Sequence, residues 1–149
     1  MDYKLLCAQL KTLTEDVENV ISNLSNASAL LWQELADINW AGFYKMEGGI
    51  LVLYPFQGKT ACTKIAVGRG VCGTAVAEDR TQLVPDVHQF PGHIACDCAS
   101  NSEIVVPIHV NGEIWGVLDI DSPHIGRFTE EDRTGLLGVV QMIEKTLGK

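Results

Sequence analysis

The feature that most constrains the fold is an Asn-Gly pair, Asn111-Gly112, which separates two apolar segments. The first segment runs from Ile104 to Val110 and the second from Glu113 to Ile120. Asn-Gly favours the type I′ turn between adjacent antiparallel strands, because both residues tolerate the positive φ angles that this turn requires. The segments therefore predict a β-hairpin. Alternation along its second strand predicts four residues on one face: Trp115, Val117, Asp119 and, two positions further on, Asp121.

Three carboxylates, Glu103, Asp119 and Asp121, stand at the ends of these otherwise apolar strands. A hairpin end exposed to water would explain them simply, but the neighbouring core-like segments indicate that the strand ends line a cavity. No Lys or Arg lies nearby in the sequence to pair with them, and a buried carboxylate is costly without a partner. Crowding raises the pKa of at least one carboxyl group. The cluster therefore predicts a proton donor near neutral pH that can also hold a ligand ammonium.

The cysteines are five in number: Cys7, Cys62, Cys72, Cys96 and Cys98. Cys62, Cys72 and Cys96 lie in Gly-rich or loop-like segments, so their thiols could approach one another. One thiolate could attack an oxidised substrate and become a sulfenic acid, which a second cysteine resolves as a disulfide. The alternative is that each is a small buried apolar side chain. Neighbouring acidic groups discourage thiolate formation, so an attacking thiol here would need coupled proton transfer.

The sequence predicts no cofactor and no metal. Cys96-x-Cys98, with His88, His93, Cys62 and Cys72 nearby, would supply enough zinc ligands, but the chain lacks the C-x-x-C pairing typical of zinc sites. The glycines from Gly68 to Gly73 fit neither the dinucleotide fingerprint nor the P-loop, so tight turns explain them better than a phosphate site.

The remaining pattern predicts an α+β domain with a central antiparallel sheet and its N- and C-terminal helices packed on one face. Apolar residues at helical spacing predict an amphipathic helix over about 14–35, capped by Thr14 or Asp16. Segments 38–46 and 50–54 predict a first hairpin, on which Trp40 and Tyr44 share one side as an aromatic wall. A short helix is expected over about Thr74 to Glu78. Thr129-x-x-Asp132 has the form of an N-cap for the closing helix.

Charge and the start of the chain limit the partners. The formal net charge is −8 and the basic residues are dispersed, which argues against nucleic acid and anionic membrane surfaces. No apolar run approaches the roughly 20 residues that cross a bilayer, and the N-terminus lacks the features of a signal peptide. The sequence therefore predicts a cytoplasmic protein.

Six ordered blocks between about Asn39 and Arg133 resemble the free methionine-R-sulfoxide reductases, which are small single GAF-domain enzymes. The blocks are Asn39-Trp40-Ala41-Gly42-Phe43-Tyr44; Pro55-Phe56-Gln57-Gly58 with Ala61-Cys62; Gly70-Val71-Cys72-Gly73; Phe90-Pro91-Gly92-His93-Ile94-Ala95-Cys96-Asp97; Ser102-Glu103-Ile104-Val105-Val106-Pro107; and Gly116-Val117-Leu118-Asp119-Ile120-Asp121-Ser122. The resemblance implies one GAF-like domain over 1–149, with a helical segment at about 1–37, the sheet and active-site loops at about 38–122, and a closing helix at about 129–147.

The resemblance also implies an activity, which is the reduction of methionine R-sulfoxide as the free amino acid. The family's redox cysteines fall on Cys62, Cys72 and Cys96. Cys96 is expected to attack the sulfoxide, Cys62 or Cys72 to resolve the sulfenic acid, and thioredoxin to regenerate the thiols. The substrate pocket falls on Glu103, Asp119, Asp121, Trp40 and Tyr44. A homodimer is implied as well, whereas Cys98 and Cys7 match no redox position.

Two other functions stay open at this stage. A non-catalytic GAF module that binds a small ligand would not need three cysteines. A redox or zinc sensor would use them, and stoichiometric zinc in protein prepared without chelator would favour it.

Overall fold

The computed structural model describes residues 1–92 and 100–148. They form a six-stranded antiparallel sheet with the strand order β3-β2-β1-β6-β5-β4. The strands are β1 (Trp40–Glu47), β2 (Ile50–Gly58), β3 (Lys64–Ala66), β4 (Gln82–Val84), β5 (Ser102–Val110) and β6 (Glu113–Ser122). The helices are α1 (Tyr3–Thr14), α2 (Val20–Glu34), α3 (Gly70–Glu78) and α4 (Glu130–Leu147), with one 3₁₀ turn at Val87–Gln89. The predicted α+β class is confirmed.

The Asn-Gly hairpin forms as predicted. Asn111 and Gly112 have φ angles of 53° and 80°, and positive values at both positions are what a type I′ turn requires. β5 and β6 pair from Ser102 with Ser122 to Val110 with Glu113. β6 also pairs with β1, so the two hairpins join into one sheet at its centre.

The sheet buries both faces, each against different helices. On the first face, α1, α2 and α4 cover a core that includes Phe43, Ile104 and Leu118. This confirms the predicted packing of the N- and C-terminal helices on one face. On the second face, the shorter α3 covers a smaller core around Val105 and Val117. Side chains alternate between the faces along each strand, so β1, β5 and β6 contribute to both.

The two long helices differ in how well their starts were predicted. α4 begins after Thr129, whose hydroxyl accepts from the Asp132 backbone while the Asp132 side chain accepts from the Thr129 backbone. That capping box confirms the prediction. The expected helix over 14–35 is wrong at its start, because Thr14 ends α1 and α2 begins at Val20. Asn19 caps α2 by accepting from the backbone N–H of Ser22 at 3.0 Å, which sets the boundary five residues later than Thr14.

Trp115 lies on the other face from the one predicted. The β5–β6 register shifts between Ile108 and His109, which pair with Gly116 and Ile114, so Trp115 is an extra residue in β6. An inserted residue reverses the alternation on one side of it. Trp115 consequently packs on the face covered by α1, α2 and α4, edge-on to Tyr54 with ring centroids 5.8 Å apart.

Among the helices of the described residues, none has the length and apolar character needed to cross a membrane.

Candidate active site

The three predicted carboxylates meet on the α3 side of the sheet, at the ends of neighbouring strands. Glu103 on β5 pairs directly with Asp121 on β6, and Asp121 pairs in turn with Trp40 on β1. Asp119, two residues earlier on β6, lies between Val105 and Gly42. Because residues two apart on a strand share a face, these acidic side chains crowd together. The sequence-based prediction of one acidic cluster therefore agrees with the strand register.

Two of these carboxylates are buried. Glu103 is 8% exposed and Asp119 is 6% exposed, whereas Asp121 is half-buried. In the described part of the chain, no lysine or arginine forms an ion pair with Glu103 or Asp119. Oδ1 of Asp119 is buried and accepts no hydrogen bond from residues 1–92 or 100–148. A buried carboxylate oxygen without a donor is costly, and a cationic ligand group would remove that cost.

Burial and crowding keep protons on this cluster. Burial, followed by the charges of Asp119 and Asp121, raises the pKa of Glu103 well above its ordinary value. Burial also raises the pKa of Asp119, although hydrogen bonding with Glu103, Cys72 and Asp121 offsets part of that rise. Like charges in one site cannot all ionise. At neutral pH the cluster therefore retains a transferable proton while still presenting negative charge.

Cys72 is the fourth member of the cluster, and its placement corrects the prediction that it lies in a loop. It belongs to the first turn of α3 and is 4% exposed. α3 begins at Gly70 instead of Thr74 because glycine permits close packing here: a Cβ on Gly73 would lie 2.4 Å from the carbonyl oxygen of Ala66. The Cys72 sulfur and carboxyl oxygens of Glu103 and Asp119 all lie within 4.8 Å of one another.

This grouping is also the one set of donor atoms, in the part of the chain that is described, compact enough to hold a metal ion. One sulfur and two carboxylate oxygens would suit a divalent transition metal. The same arrangement equally suits an ammonium group, which needs only hydrogen-bond acceptors and negative charge.

An aromatic wall stands beside the carboxylates. The rings of Trp40 and Tyr44 stack with centroids 5.9 Å apart, and those of Trp40 and Phe56 stack at 5.1 Å. The sequence analysis assigned no role to Phe56. The sequence feature that could have indicated its place in the wall is Gly42, which pairs with Phe56 across β1 and β2. A Cβ on Gly42 would lie 2.2 Å from that of Phe56, so only glycine leaves room for the ring. The wall is a flat apolar surface of the kind that suits a thioether or sulfoxide methyl.

Cys62 lies against the same wall, in the connection between β2 and β3. The hydroxyl of Tyr44 donates to its carbonyl oxygen at 2.9 Å, and the indole Nε1 of Trp40 donates to the Lys59 carbonyl oxygen at 3.1 Å. Cys62 is disulfide-bonded, whereas Cys72 carries a free thiol. Cys96, together with Cys98 and His93, lies outside the described residues, so its predicted role stays a prediction.

Comparison with known proteins places these features in context. A family model described as the GAF domain matches residues 10–147. The free methionine-R-sulfoxide reductase of Escherichia coli is 61% identical over 127 residues, which are 85% of this chain and 77% of that protein. The free methionine-R-sulfoxide reductase of Saccharomyces cerevisiae is 49% identical, over 90% of this chain and 79% of that protein.

Solved structures agree with the sequence matches. The structure of fRMsr of Staphylococcus aureus in complex with its substrate superposes with a TM-score of 0.94 at 55% identity, and the match covers 98% of this chain and 95% of that one. The free methionine-R-sulfoxide reductase of Neisseria meningitidis, also in complex with its substrate, gives a TM-score of 0.94 at 42% identity, over 97% of this chain and 87% of that one.

Proposed function

Since the chain belongs to the free methionine-R-sulfoxide reductase family of GAF-domain proteins, we propose that it is an oxidoreductase that converts free L-methionine (R)-S-oxide to L-methionine by thiol chemistry. The observation that carries this proposal is the buried cluster of Glu103, Asp119 and Cys72 beside a stacked aromatic wall. One carboxylate oxygen of this cluster has no hydrogen-bond partner among the described residues. The cluster offers negative charge to a cation and a proton to a leaving oxygen, and the wall offers an apolar surface to a methyl group.

The cluster accounts for selection of the free amino acid. Free methionine sulfoxide carries an α-ammonium group, which a methionine residue inside a peptide lacks. Asp119 and Asp121 supply the acceptors for this ammonium, and an incoming cation would pair with Oδ1 of Asp119, which accepts no hydrogen bond from the described residues. A ligand without the ammonium group binds poorly at a site of buried carboxylates, because the carboxylate oxygens then stay unpaired. Peptide-bound sulfoxides are therefore poor substrates.

The aromatic wall places the sulfoxide for attack. Trp40 and Tyr44 are the proposed contacts of the S-methyl group, because both rings pack on the carboxylate side of the sheet. With the ammonium held by the acidic residues and the methyl group held by the wall, two positions remain on the sulfoxide sulfur, one for the oxygen and one for the lone pair. The two epimers exchange these positions, and in this proposal only the R epimer directs its oxygen toward Glu103.

The reaction then proceeds in two thiol steps. The Cys96 thiol attacks the sulfoxide sulfur and loses its proton to the acidic cluster, while Glu103 protonates the sulfoxide oxygen. The S–O bond and the transient S–S bond then break as the hydroxyl moves to the Cys96 sulfur, which leaves methionine and a Cys96 sulfenic acid. The methionine sulfur is reduced by two electrons and Cys96 is oxidised by two. A resolving thiol displaces the hydroxyl as water and forms a disulfide. Cys62 or Cys72 supplies this thiol, and the hydrogen bond from Tyr44 that orders the Cys62 segment favours Cys62.

Turnover needs an external reductant and a reducing compartment. Thioredoxin, whose dithiol is poised to reduce protein disulfides, restores the two thiols. Such chemistry belongs in the cytoplasm, where free cysteines persist. A homodimer is the proposed assembly, and light scattering of the purified protein at several concentrations tests it.

The central experiment follows each epimer of free methionine sulfoxide with dithiothreitol as reductant. We expect loss of the R epimer alone, and little loss of N-acetylmethionine sulfoxide, which has the same sulfoxide and no ammonium. Cys96→Ser should abolish reduction. Cys7→Ser is the matched control, because Cys7 packs on the face covered by α1, α2 and α4, opposite the carboxylates. Binding of the R epimer without any turnover would indicate a ligand-binding module instead of an enzyme. Full activity in Cys96→Ser would move the attacking thiol elsewhere.

A further inference from the structure

Asn101 connects the strand end that carries Glu103 to the chain on both sides of it. β5 begins one residue later, at Ser102, and lies between β4 and β6 in the sheet. The backbone N–H of Asn101 donates to the carbonyl oxygen of Ser122, the last residue of β6, at 2.8 Å. Its carbonyl oxygen accepts from the backbone N–H of Val87, which follows β4, at 2.9 Å. One residue therefore joins β5 to the ends of both neighbouring strands.

The side chain of Asn101 repeats this connection. Its Nδ2 donates to the carbonyl oxygen of Pro123, which follows β6, at 2.7 Å, and its Oδ1 lies 2.9 Å from Nε2 of His88. A carbonyl oxygen can only accept, so the amide nitrogen must face Pro123 and the amide oxygen must face His88. Because that amide oxygen is also an acceptor, Nε2 of His88 carries the proton in this contact. Neither alanine nor aspartate at this position would make both bonds.

The strand ends joined in this way are those that form the acidic cluster. Glu103 pairs with Val84 of β4 on one side and with Asp121 of β6 on the other. Val84 is the last residue of β4, Glu103 the second of β5 and Asp121 the last but one of β6. Chain ends of this kind open more easily than strand centres, and like charges side by side favour opening. The four hydrogen bonds of Asn101 oppose it.

We propose, on the basis of the proposed function, that Asn101 is a positioning residue that holds Glu103 against Asp121. It does so through its bonds to His88 and Pro123 as well as through its backbone. Asn101 contacts no reacting atom in this assignment and adds no chemical step. Held together, the two carboxyl groups retain the proton that Glu103 gives to the sulfoxide oxygen. His88, which the sequence offered as a zinc ligand, acts here as a hydrogen-bond donor.

The first test compares two asparagines, with dithiothreitol as reductant and free methionine R-sulfoxide as substrate. Asn101→Ala loses both side-chain bonds. Asn23→Ala is the control, since it loses one bond of similar length, from Nδ2 to the Val17 carbonyl oxygen at 2.8 Å, in a helix on the opposite face of the sheet. At a temperature where circular dichroism shows both variants folded, we expect kcat/KM to fall about tenfold in Asn101→Ala, because a small displacement of a catalytic group is costly. Asn23→Ala should match the wild type.

Two negative results have different meanings. A wild-type value of kcat/KM in folded Asn101→Ala would overturn the positioning role. If the wild-type protein itself consumes no R epimer, the proposed function fails, whatever the variants do.

The pH dependence of kcat/KM is the readout that a loss of stability alone would not move. Burial, then the charges of Asp119 and Asp121, raises the pKa of Glu103. The other titratable side chains of the described residues that interact with this carboxyl group are those of Cys72 and Tyr44. Separation from Asp121 would lower the pKa of Glu103. The alkaline limb, where Glu103 loses its proton, should therefore move to lower pH in Asn101→Ala, and a limb at the wild-type position would contradict the proposal.

Variants of His88 test the same connection even if Asn101→Ala does not fold, because His88 is exposed. His88→Ala removes the donor to Asn101, so kcat/KM should fall about threefold and the alkaline limb should move in the same direction. His88→Gln places an amide N–H near the position of Nε2 and should recover most of that loss. The proposal is overturned if His88→Ala matches the wild type in both measurements, or if His88→Gln is as impaired as His88→Ala.

Discussion

The hydroxyl of Tyr44 donates a 2.9 Å hydrogen bond to the backbone carbonyl of Cys62, across 18 positions of sequence. Tyr44 thus belongs both to the aromatic wall and to the support of the segment that carries a cysteine. Burial, followed by the nearby Asp119 charge, raises the pKa of Tyr44, so the phenol stays a donor at every physiological pH. The wall and the Cys62 segment therefore keep a fixed spacing.

Replacing Tyr44 by Phe should loosen that segment while leaving the wall in place. We expect a stability loss of about 1 kcal/mol, as for one buried hydrogen bond, and slower disulfide formation after sulfoxide attack. Stopped-flow trapping of the sulfenic acid with a dimedone probe measures the second effect. Tyr54→Phe is the control, because the Tyr54 hydroxyl donates to the exposed Glu47 carboxylate and its ring packs on the face covered by α1, α2 and α4. Equal disulfide rates in the two variants would contradict the supporting role of Tyr44.

Glu103→Gln should stabilise the protein at high pH and reduce its activity. The folded-state pKa of Glu103 is raised, so its contribution to stability is complete below its unfolded-state pKa. That contribution is lost as pH rises toward the folded-state value. Glutamine stays neutral throughout, so the Tm difference, variant minus wild type, should grow as the pH is raised above about 4, the ordinary pKa of a glutamic acid. Reduction should fall because the proton donor is gone.

Thermal unfolding of both proteins over that pH range, followed by circular dichroism, measures this difference. Glu113→Gln, at an exposed position beside the turn of the same hairpin, is the matched control and should leave Tm unchanged within error. A Tm difference for Glu103→Gln that is independent of pH would show that Glu103 does not carry the buried proton.

The sequence predicted those elements that local chemistry specifies. The Asn111-Gly112 turn and the Thr129 capping box act within a few residues, and both form as expected. The acidic cluster was predictable too, because a hairpin whose alternation is known fixes which side chains of neighbouring strands meet. The start of α2 was missed because the apolar spacing continues through the break that Asn19 caps.

Other features depend on contacts between distant segments. Nothing local marks Trp115 as the extra residue of a bulge, which only the pairing of β5 with β6 defines. The glycines before Cys72 indicated a loop, yet they permit a helix because Gly73 packs on the Ala66 backbone. Phe56 joins the wall only because Gly42 has no side chain. These three placements are set by tertiary packing, which a local pattern does not encode.

Gly42→Ala should therefore damage the site through the wall. Its Cβ would lie 2.2 Å from the Cβ and 2.7 Å from the Cα of Phe56, so β1 and β2 must separate or Phe56 must leave its stack on Trp40. We expect destabilisation of roughly 1–3 kcal/mol, typical of overpacking, and a higher KM for methionine sulfoxide. Gly138→Ala in α4 is the control, since its Cβ meets nothing closer than Cys7 Sγ at 3.8 Å.

In that control, alanine should stabilise the helix by about 1 kcal/mol and leave KM unchanged. Urea denaturation and steady-state kinetics on both variants make the comparison. An unchanged KM in Gly42→Ala would show that the Phe56 stack has no part in substrate binding.

The last prediction concerns Tyr3, whose hydroxyl donates at 2.5 Å to Oδ1 of Asp132 and so ties α1 to α4. Burial opposes ionisation of Asp132, but hydrogen bonds from Tyr3 and Thr129 and the charge of Arg127 outweigh it and lower its pKa. A lowered folded-state pKa gives stability above the unfolded-state value that is lost as pH falls through the folded-state value. Tyr3→Phe should therefore cost about 1.5–3 kcal/mol at pH 7, and the cost should shrink below about pH 4. Urea denaturation at both pH values measures this, and equal losses at both would mean that Tyr3 acts through packing instead of through the Asp132 charge.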